Sequence, residues 1–406
     1  MAQVPACVTA QSMFWRKKQS SHEAFDPWTR PFTIRLPPSC CLLPARGTPG
    51  AVTTKARRKR VRNRDSRKTQ QFRLIAESLQ LPYFFVPALD PARYFVALEL
   101  MKILVTGVTG AIGPRLATRL VADGHDVVVS SRRYGAPVPD GCSFVAADVV
   151  TGAGLTRALD GVHVAYYLIH SMEPSANGAF PALERAGAEH FADAAVRAGV
   201  TRTIYLGGLI PEDLQASSPH LASRLNVERQ LLETAPDPVA FRASIVIGAE
   251  SRSFRFLVHL IERMPVLILP AWRDHVTAPI DMRDAIEVLT RAATVPEVGG
   301  RSLDITGPEI VSYGDLIELI RDHMLLGRPV LGLPRLTLTP IASRVSATIA
   351  GEEHALIGPL MEGLNSDLLP RDNSAVELLG VRRHSLDSAI ERALREWEAS
   401  EPLKAR

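Results

Sequence analysis

Cysteine is scarce in this chain of 406 residues, with only Cys7, Cys40, Cys41 and Cys142 present. No disulfide framework and no zinc-ligand spacing can be built from them. Three lie in the first hundred residues, so Cys142 stands alone in the rest, which fits a reducing, cytoplasmic setting. Long apolar runs are also missing. Without 18 consecutive apolar residues, no transmembrane segment is expected. The histidines are scattered and lack a two-ligand spacing that converges with a carboxylate, which argues against a metal centre. Nor does the N-terminus read as a secretory signal, since no apolar segment with a cleavage site follows its first charges.

The formal net charge of +4 conceals a division. Residues 1–100 carry 17 Lys/Arg against 6 Asp/Glu, whereas residues 101–406 carry 30 against 37. The basic character belongs to the leader, concentrated in Lys55, Arg57, Arg58, Lys59, Arg60, Arg62, Arg64, Arg67 and Lys68. Such a stretch suits a nucleic-acid or anionic surface, or is simply disordered sequence with scattered prolines. Residues 1–100 are expected to be a disordered or mis-assigned extension, because the first core strand begins right at Met101. A flexible tail and a targeting arm are the alternatives. No nucleic-acid partner is expected for 101–406.

What is present is a strand–turn–helix signature. Met101-Lys-Ile-Leu-Val-Thr-Gly107 reads as a short buried strand, and Val-Thr-Gly110-Ala-Ile-Gly113 as the turn that leaves it. A helix follows over Pro114–Asp123 and ends at Gly124. Next comes a second strand, His125–Ser131, completing a βαβ unit of the expected length. In this arrangement Gly107 permits a tight turn, Gly110 lets a phosphate approach and Gly113 lets helix and sheet pack closely. Backbone N–H groups and a helix N-terminus then face a pyrophosphate. Gly107, Thr109, Gly110, Ala111, Ile112 and Gly113 are therefore the candidate cofactor contacts, the alternative being a structural turn that has lost its cofactor.

Strands are expected at Ser143–Ala147, Val162–Ile169, Thr203–Gly208 and Val239–Ile247, alternating with helices near 155–159, 179–198 and 220–233. This alternation predicts an α/β fold, a doubly wound parallel sheet with helices on both faces. Ligands in such sheets lie beyond the carboxyl ends of the strands. Beyond Gly248 an amphipathic segment over 253–263, the stretch 264–275, a helix through Ala293 and another over 312–325 follow. The dinucleotide domain is expected over 101–325 with a lobe insertion near 253–275. Residues 326–406, with an apolar run near 336–350 and a closing helix over 386–398, are expected to form a smaller, mostly helical substrate lobe or a dimer face.

Strand two ends in Ser130-Ser131-Arg132-Arg133, where an NAD site often carries an acidic residue for the ribose hydroxyls. Arginine can instead hold a 2′-phosphate through bidentate, charge-assisted bonds. Arg132 and Arg133 thus point to NADP, with NAD possible; both can also be solvated loop charges. Asp148 and Val149 close strand three and suit a contact to the adenine edge. Ile169 and His170, followed by Ser171, end strand four on the nicotinamide side, where His170 bonds a ribose or carbonyl or merely caps the next turn. At least one of Tyr166 and Tyr167 belongs to the core. Trp272, Arg273 and His275 line a substrate mouth or pack the lobe. Asp281 and Asp284, at a helix entry, read as caps.

Residues 101–406 resemble the short-chain dehydrogenase/reductase superfamily, and within it the atypical, NmrA-like NAD(P)H-binding oxidoreductases, near relatives of a complex I accessory subunit. The resemblance rests on Gly107-Val-Thr-Gly110-Ala-Ile-Gly113, Tyr166-Tyr-Leu-Ile-His-Ser-Met172, Tyr205-Leu-Gly-Gly-Leu209 and Arg242-Ala-Ser-Ile-Val-Ile-Gly248. It implies the Rossmann fold, a cofactor under the glycine turn and a substrate lobe from the C-terminal third. It also implies a Tyr-x-x-x-Lys pair after the fifth strand and a Ser or Thr near that strand's end. Here the corresponding places read His220-Leu-Ala-Ser-Arg224 and Gly207-Gly208. Arginine stays cationic and cannot shuttle protons, while histidine can act as acid or base near neutral pH. His220 and Arg224, four residues apart, share one helical face and are the catalytic candidates.

Two functions follow as expectations. One is an NADP(H)-dependent oxidoreductase passing hydride to or from a carbonyl, enone or quinone-like carbon of a small, rather apolar substrate. The other is a non-catalytic dinucleotide-binding redox sensor or structural subunit, favoured by the missing Tyr–Lys pair. A homodimer or another protein partner suits either.

Overall fold

A computed structural model of the chain describes residues 100–169, 180–212, 219–333 and 363–401. The basic leader, His170, Ser171 and the apolar run near 336–350 lie outside the described residues. The chain opens with β1 (Lys102–Thr106), α1 (Gly113–Ala122), β2 (Asp126–Ser131), β3 (Ser143–Ala146) and the short α2 (Leu155–Ala158). It continues through β4 (Val164–Tyr167), α3 (Phe180–Ala198), β5 (Arg202–Gly208), α4 (Pro219–Thr234) and β6 (Pro238–Ala243). With the later strand β11 (Arg301–Ile305), these form one seven-stranded parallel sheet in the order β3-β2-β1-β4-β5-β6-β11. This is a Rossmann-like sheet.

Alternation along each strand sends side chains to two separate cores. On one face Ile103, Val105, Val129, Tyr166, Ile204 and Phe241 pack against Leu116 and Leu120 of α1 and Val288 and Leu289 of α6 (Met282–Ala292). On the other, Leu104, Val128, Tyr167 and Tyr205 pack against Phe191 and Ala195 of α3 and Val227 and Leu231 of α4. Burial on both faces explains why the strands read as nearly continuous apolar runs. Tyr166 and Tyr167 are both core residues, on opposite faces; the Tyr166 hydroxyl donates to Leu289 O at 2.8 Å.

A third core belongs to a smaller, mostly helical C-terminal lobe. Phe254, Leu257, Val258 and Ile261 of α5 (Arg252–Arg263) meet Leu316, Ile317 and Ile320 of α7 (Tyr313–His323). Leu386, Ile390, Leu394 and Trp397 of α9 (Leu386–Ser400) complete it; the one-turn α8 (Ala375–Leu378) packs on the sheet domain instead. Trp272 sits inside this core, 5% exposed, and His275 is held by Asp367 at 3.0 Å. Ser312 caps α7 as its spacing suggested: its hydroxyl accepts from Asp315 N at 3.0 Å and donates to the Asp315 carboxylate at 2.7 Å.

Two details differ from the sequence expectation. The single strand expected over 239–247 breaks at Ala243, and Val246–Ile247 form a separate β7 paired with β10 (Ile280–Asp281), outside the main sheet. The cause is the segment crossing there: Ser244 Oγ donates to Ala278 O at 2.7 Å and Ile280 N to Ile245 O at 3.0 Å. Of the two acidic residues read as caps, Asp281 caps α6 by accepting from Arg283 N at 2.7 Å. Asp284 does not. Buried to 2% exposure, it accepts from His384 N at 2.7 Å and meets His384 Nδ1 at 2.5 Å, tying α6 to the segment before α9.

The far side of the sheet is locked by charge. Glu228 of α4, 2% exposed, takes a two-pronged bond from Arg242 of β6 (Nε at 2.8 Å, Nη2 at 2.6 Å) and a third bond from Ser302 Oγ of β11 at 2.7 Å. Removing one member of such a buried pair strands the other charge, at a cost of about 3–5 kcal/mol. Glu228→Ala should lower unfolding stability in urea by about that amount, whereas Asp193→Ala, from an exposed pair on α3, should stay within about 0.5 kcal/mol. A Glu228→Ala chain as stable as the parent would contradict this role.

Candidate functional site

The order of the sheet reverses between β1 and β4, since the chain goes outward to β2 and β3 and then returns to β4. A crevice opens beyond the strand ends at such a switch point. Thr106 fixes its floor: its hydroxyl donates to Tyr166 O at 2.8 Å and accepts from Leu168 N at 3.1 Å, joining the ends of the two strands.

The glycines of the turn are dictated by contact. Gly107 has φ +74°, and a Cβ there would lie 2.7 Å from Leu168 O. A Cβ on Gly113 would lie 2.5 Å from Gly107 O. Backbone rests on backbone at both points. The helix that follows starts at Gly113 with Pro114 in its first turn, no side-chain cap and no acidic residue, so its leading amides face the crevice without a competing carboxylate.

From this turn runs a cavity of about 670 Å³, within the range usual for small-molecule and cofactor sites. Gly107, Thr109, Gly110, Ala111, Ile112 and Gly113 line it, as do Arg132 and Arg133 after β2, and Asp148, Val149 and Ile169 after β3 and β4. His220 and Arg224 of α4 line it as well. The cofactor and catalytic candidates among the described residues therefore meet in one space. Arg132 and Arg133 are exposed at its rim. Asp148 also serves its own turn, its carboxylate accepting from Val150 N at 2.9 Å, while Val149 is buried in the core.

At the end of β5, where the resemblance leads one to expect a Ser or Thr, the structure shows a close contact at one of the two glycines, Gly207. A Cβ on Gly207 would fall 2.9 Å from the Tyr205 ring, and one on Gly208 would fall 3.5 Å from Arg224 Nε. The Arg224 guanidinium occupies that place, with Nη2 3.4 Å from Leu206 O. Burial first, and then the neighbouring guanidinium, push the His220 imidazole down to about 4. It is therefore neutral at pH 7, which suits accepting a proton and excludes an imidazolium donor at that pH.

Sequence reasoning missed the far wall. Phe256, Leu257, Met282, Tyr313, Leu364 and Leu368 line the cavity from α5, α6, α7 and the 363–368 segment, giving it an apolar end. Trp272, Arg273 and His275, weighed as mouth residues, are not among the lining residues. Burial raises the Tyr313 hydroxyl to about 12, so it stays protonated. Nothing local marks Tyr313 or Leu364 in the sequence, because only the packing of the lobe brings them to the strand ends.

The donor set suits a dinucleotide: a backbone cradle that side chains would fill, an uncapped helix N-terminus, and two arginines at the rim. The NmrA-like family model matches residues 100–261. An uncharacterised protein of Mycobacterium tuberculosis is 24% identical over 234 residues, 57% of this chain and 25% of that one, so the chain spans about a quarter of that relative's length. A (4-alkanoyl-5-oxo-2,5-dihydrofuran-3-yl)methyl phosphate reductase of Streptomyces griseus is 28% identical over 56% of this chain and 75% of its own. The mitochondrial 40 kDa subunit of NADH-ubiquinone oxidoreductase from Neurospora crassa is 21% identical over 59% and 64%. Among solved structures, an epimerase of Methanothermobacter thermautotrophicus superposes with TM-score 0.60 at 16% identity, covering 74% of this chain and 92% of its own. The UDP-glucose 4-epimerase of Thermotoga maritima superposes with TM-score 0.58 at 14% identity, covering 74% and 99%. These likenesses establish the fold.

The depressed His220 carries a linkage prediction. Unfolded, the imidazole takes a proton near its ordinary value of about 6.5; folded, it does not until about 4. The stability it contributes is complete above the unfolded value and is lost as pH falls through this window, by about 1.4 kcal/mol per pH unit at most. Between pH 6.5 and 4.5 the parent chain should lose stability in urea relative to His220→Asn. Parallel pH profiles would refute the buried, arginine-flanked setting.

Proposed function

We propose that this cavity binds a nicotinamide dinucleotide, NADPH in preference to NADH, and that the protein is an oxidoreductase acting on a small, largely apolar molecule. The observation that carries this reading is the contact of Gly107 and Gly113 backbone at the mouth of one continuous cavity whose other end is apolar. The match of 100–261 to the NmrA-like family and the named reductase among the relatives support it.

When bound, the dinucleotide supplies hydride-transfer chemistry. The chain's part is to bind and orient. The amides at the start of α1 and the turn Thr109–Gly113 receive the pyrophosphate, and Arg132 and Arg133 receive a 2′-phosphate on the adenosine side. Ile169 and Asp148 flank the bound molecule. Arg224, fixed over the end of β5, offers a permanent positive charge where the family's lysine would stand. His220, neutral at working pH, accepts a proton at a ring nitrogen in the oxidative direction. In the reductive direction the proton comes from water or from a protonated hydroxyl such as that of Tyr313. The Phe256, Leu257 and Met282 wall excludes water from an apolar substrate.

A second reading has its own observation: the places of the Tyr–Lys pair hold His220 and Arg224, and Tyr166 and Tyr167 are locked in the cores. On that reading the protein holds the dinucleotide without turnover, as a redox sensor or a subunit.

Two measurements separate these. In calorimetric titrations of the full chain, the double change Arg132→Gln, Arg133→Gln should weaken NADPH binding roughly 10- to 100-fold, consistent with losing one or two charge-assisted bonds, and leave NADH nearly unchanged. Equal effects on both cofactors would contradict the 2′-phosphate assignment. In an assay of NADP+ reduction across apolar alcohols, the direction in which His220 takes a proton, His220→Ala should lower turnover on the best donor at least tenfold with NADPH affinity retained. Unchanged turnover would remove His220 from the chemistry, and absence of any turnover in the parent favours the second reading.

A further inference from the structure

The cavity is bordered by a second helix start that the dinucleotide reading leaves unused. Helix α5 runs 12 residues from Arg252 to Arg263, and Ser251, Arg252 and Ser253 at its N-terminus line the cavity beside the apolar wall. Its first helical bond joins Arg255 N to Ser251 O at 2.8 Å, so the amides of Arg252, Ser253 and Phe254 precede the ladder and have no acceptor within the helix. No acidic residue stands in its first turn.

An independent observation concerns Ser251. This residue is at the N-cap position, where a serine hydroxyl ordinarily accepts from the amide two or three residues on. Here it makes no cap bond. It is only 7% exposed, lines the cavity, and among the described residues its hydroxyl has no hydrogen-bond partner. The natural partner is a ligand in the cavity.

The neighbouring charges are arranged to favour an anion. Glu250, just before the helix in sequence, is held by Arg115 Nε at 3.0 Å, and Arg115 also meets Glu396 at 2.8 Å. Arg255 is turned away onto Glu401 at 2.9 Å and over the Trp397 ring at 4.3 Å. Arg252 is left as the cation at the cavity with no ion pair among the described residues. Free amides, the positive end of a helix dipole, a hydroxyl and a guanidinium together make a phosphate site.

We propose that the N-terminus of α5 binds a phosphoryl group of the substrate through Ser251 and Arg252, so that the substrate is an apolar molecule carrying a phosphate. This rests on the reading that the dinucleotide occupies the glycine end of the same cavity. Phosphate chemistry at this helix has one other source, the pyrophosphate of the cofactor itself, and the experiment tells the two apart.

The test titrates n-octyl phosphate, with n-octanol as control, into the full chain saturated with NADPH. Octyl phosphate should bind and octanol should bind at least tenfold more weakly. The variants Ser251→Ala and Arg252→Gln should each weaken octyl phosphate roughly tenfold, as loss of a charge-assisted bond does, while NADPH affinity changes less than threefold. Octyl phosphate that binds no better than octanol, or binding indifferent to both variants, overturns the proposal. So does a loss of NADPH affinity matching the loss of octyl phosphate, which assigns the helix to the cofactor. If the parent chain does not bind NADPH, the dinucleotide reading fails separately. The same titration without cofactor then still judges the α5 site by its response to Arg252→Gln.

Discussion

At the turn after β1, main chain packs directly on main chain: Gly107 against Leu168, and Gly113 against Gly107. No side chain fits at either contact. That close approach draws α1 down onto the sheet and brings its uncapped amides to the crevice where the strand order reverses. It also lets Thr106 tie β1 to β4, so that the floor of the cavity is one hydrogen-bonded unit. The positions of Arg132, Asp148, Ile169 and Arg224 around that floor follow from the parallel register of neighbouring strands and helices.

The electrostatics of the site follow from a second substitution of space. Gly207 leaves room at the end of β5 for the Tyr205 ring, and the Arg224 guanidinium lies beside Gly208. Burial first, and then the fixed cation at that point, depress the adjacent imidazole and keep it neutral. The pair thus differs in kind from a tyrosine made acidic by a lysine: it is a cation beside a neutral imidazole. With Arg252 on the opposite helix start, the cavity is cationic at several points while its lobe wall is apolar, a combination suited to anionic molecules with a hydrocarbon part.

Much of this was legible in the sequence because it is local. The short apolar runs of the strands, the helical period of α1 and the glycines between them are short-range patterns, and they placed β1, α1, β2 and the turn within a residue or two. Arg132 and Arg133 could be placed at the cavity because they directly follow a strand, and His220 and Arg224 because a family resemblance marked their helix; all four line it. What was hidden depends on distant segments. The break of β6 at Ala243 comes from a chain crossing at 278–280, and Asp284 is engaged by His384, a hundred residues on. Tyr313, Leu364 and Ser251 reach the cavity only through packing of the helical lobe. Trp272 looked suited to a mouth, but the third core had room for it.

The most direct test of the central claim is where NADPH touches the chain. Hydrogen–deuterium exchange of the full protein, with and without saturating NADPH, reads this without any substitution. The account predicts slowed exchange across residues 107–116 and at the end of β5, with no change in the paired strands β8 (Leu267–Pro270) and β13 (Val330–Leu333). Protection confined to other segments, or none at any NADPH concentration, would contradict it.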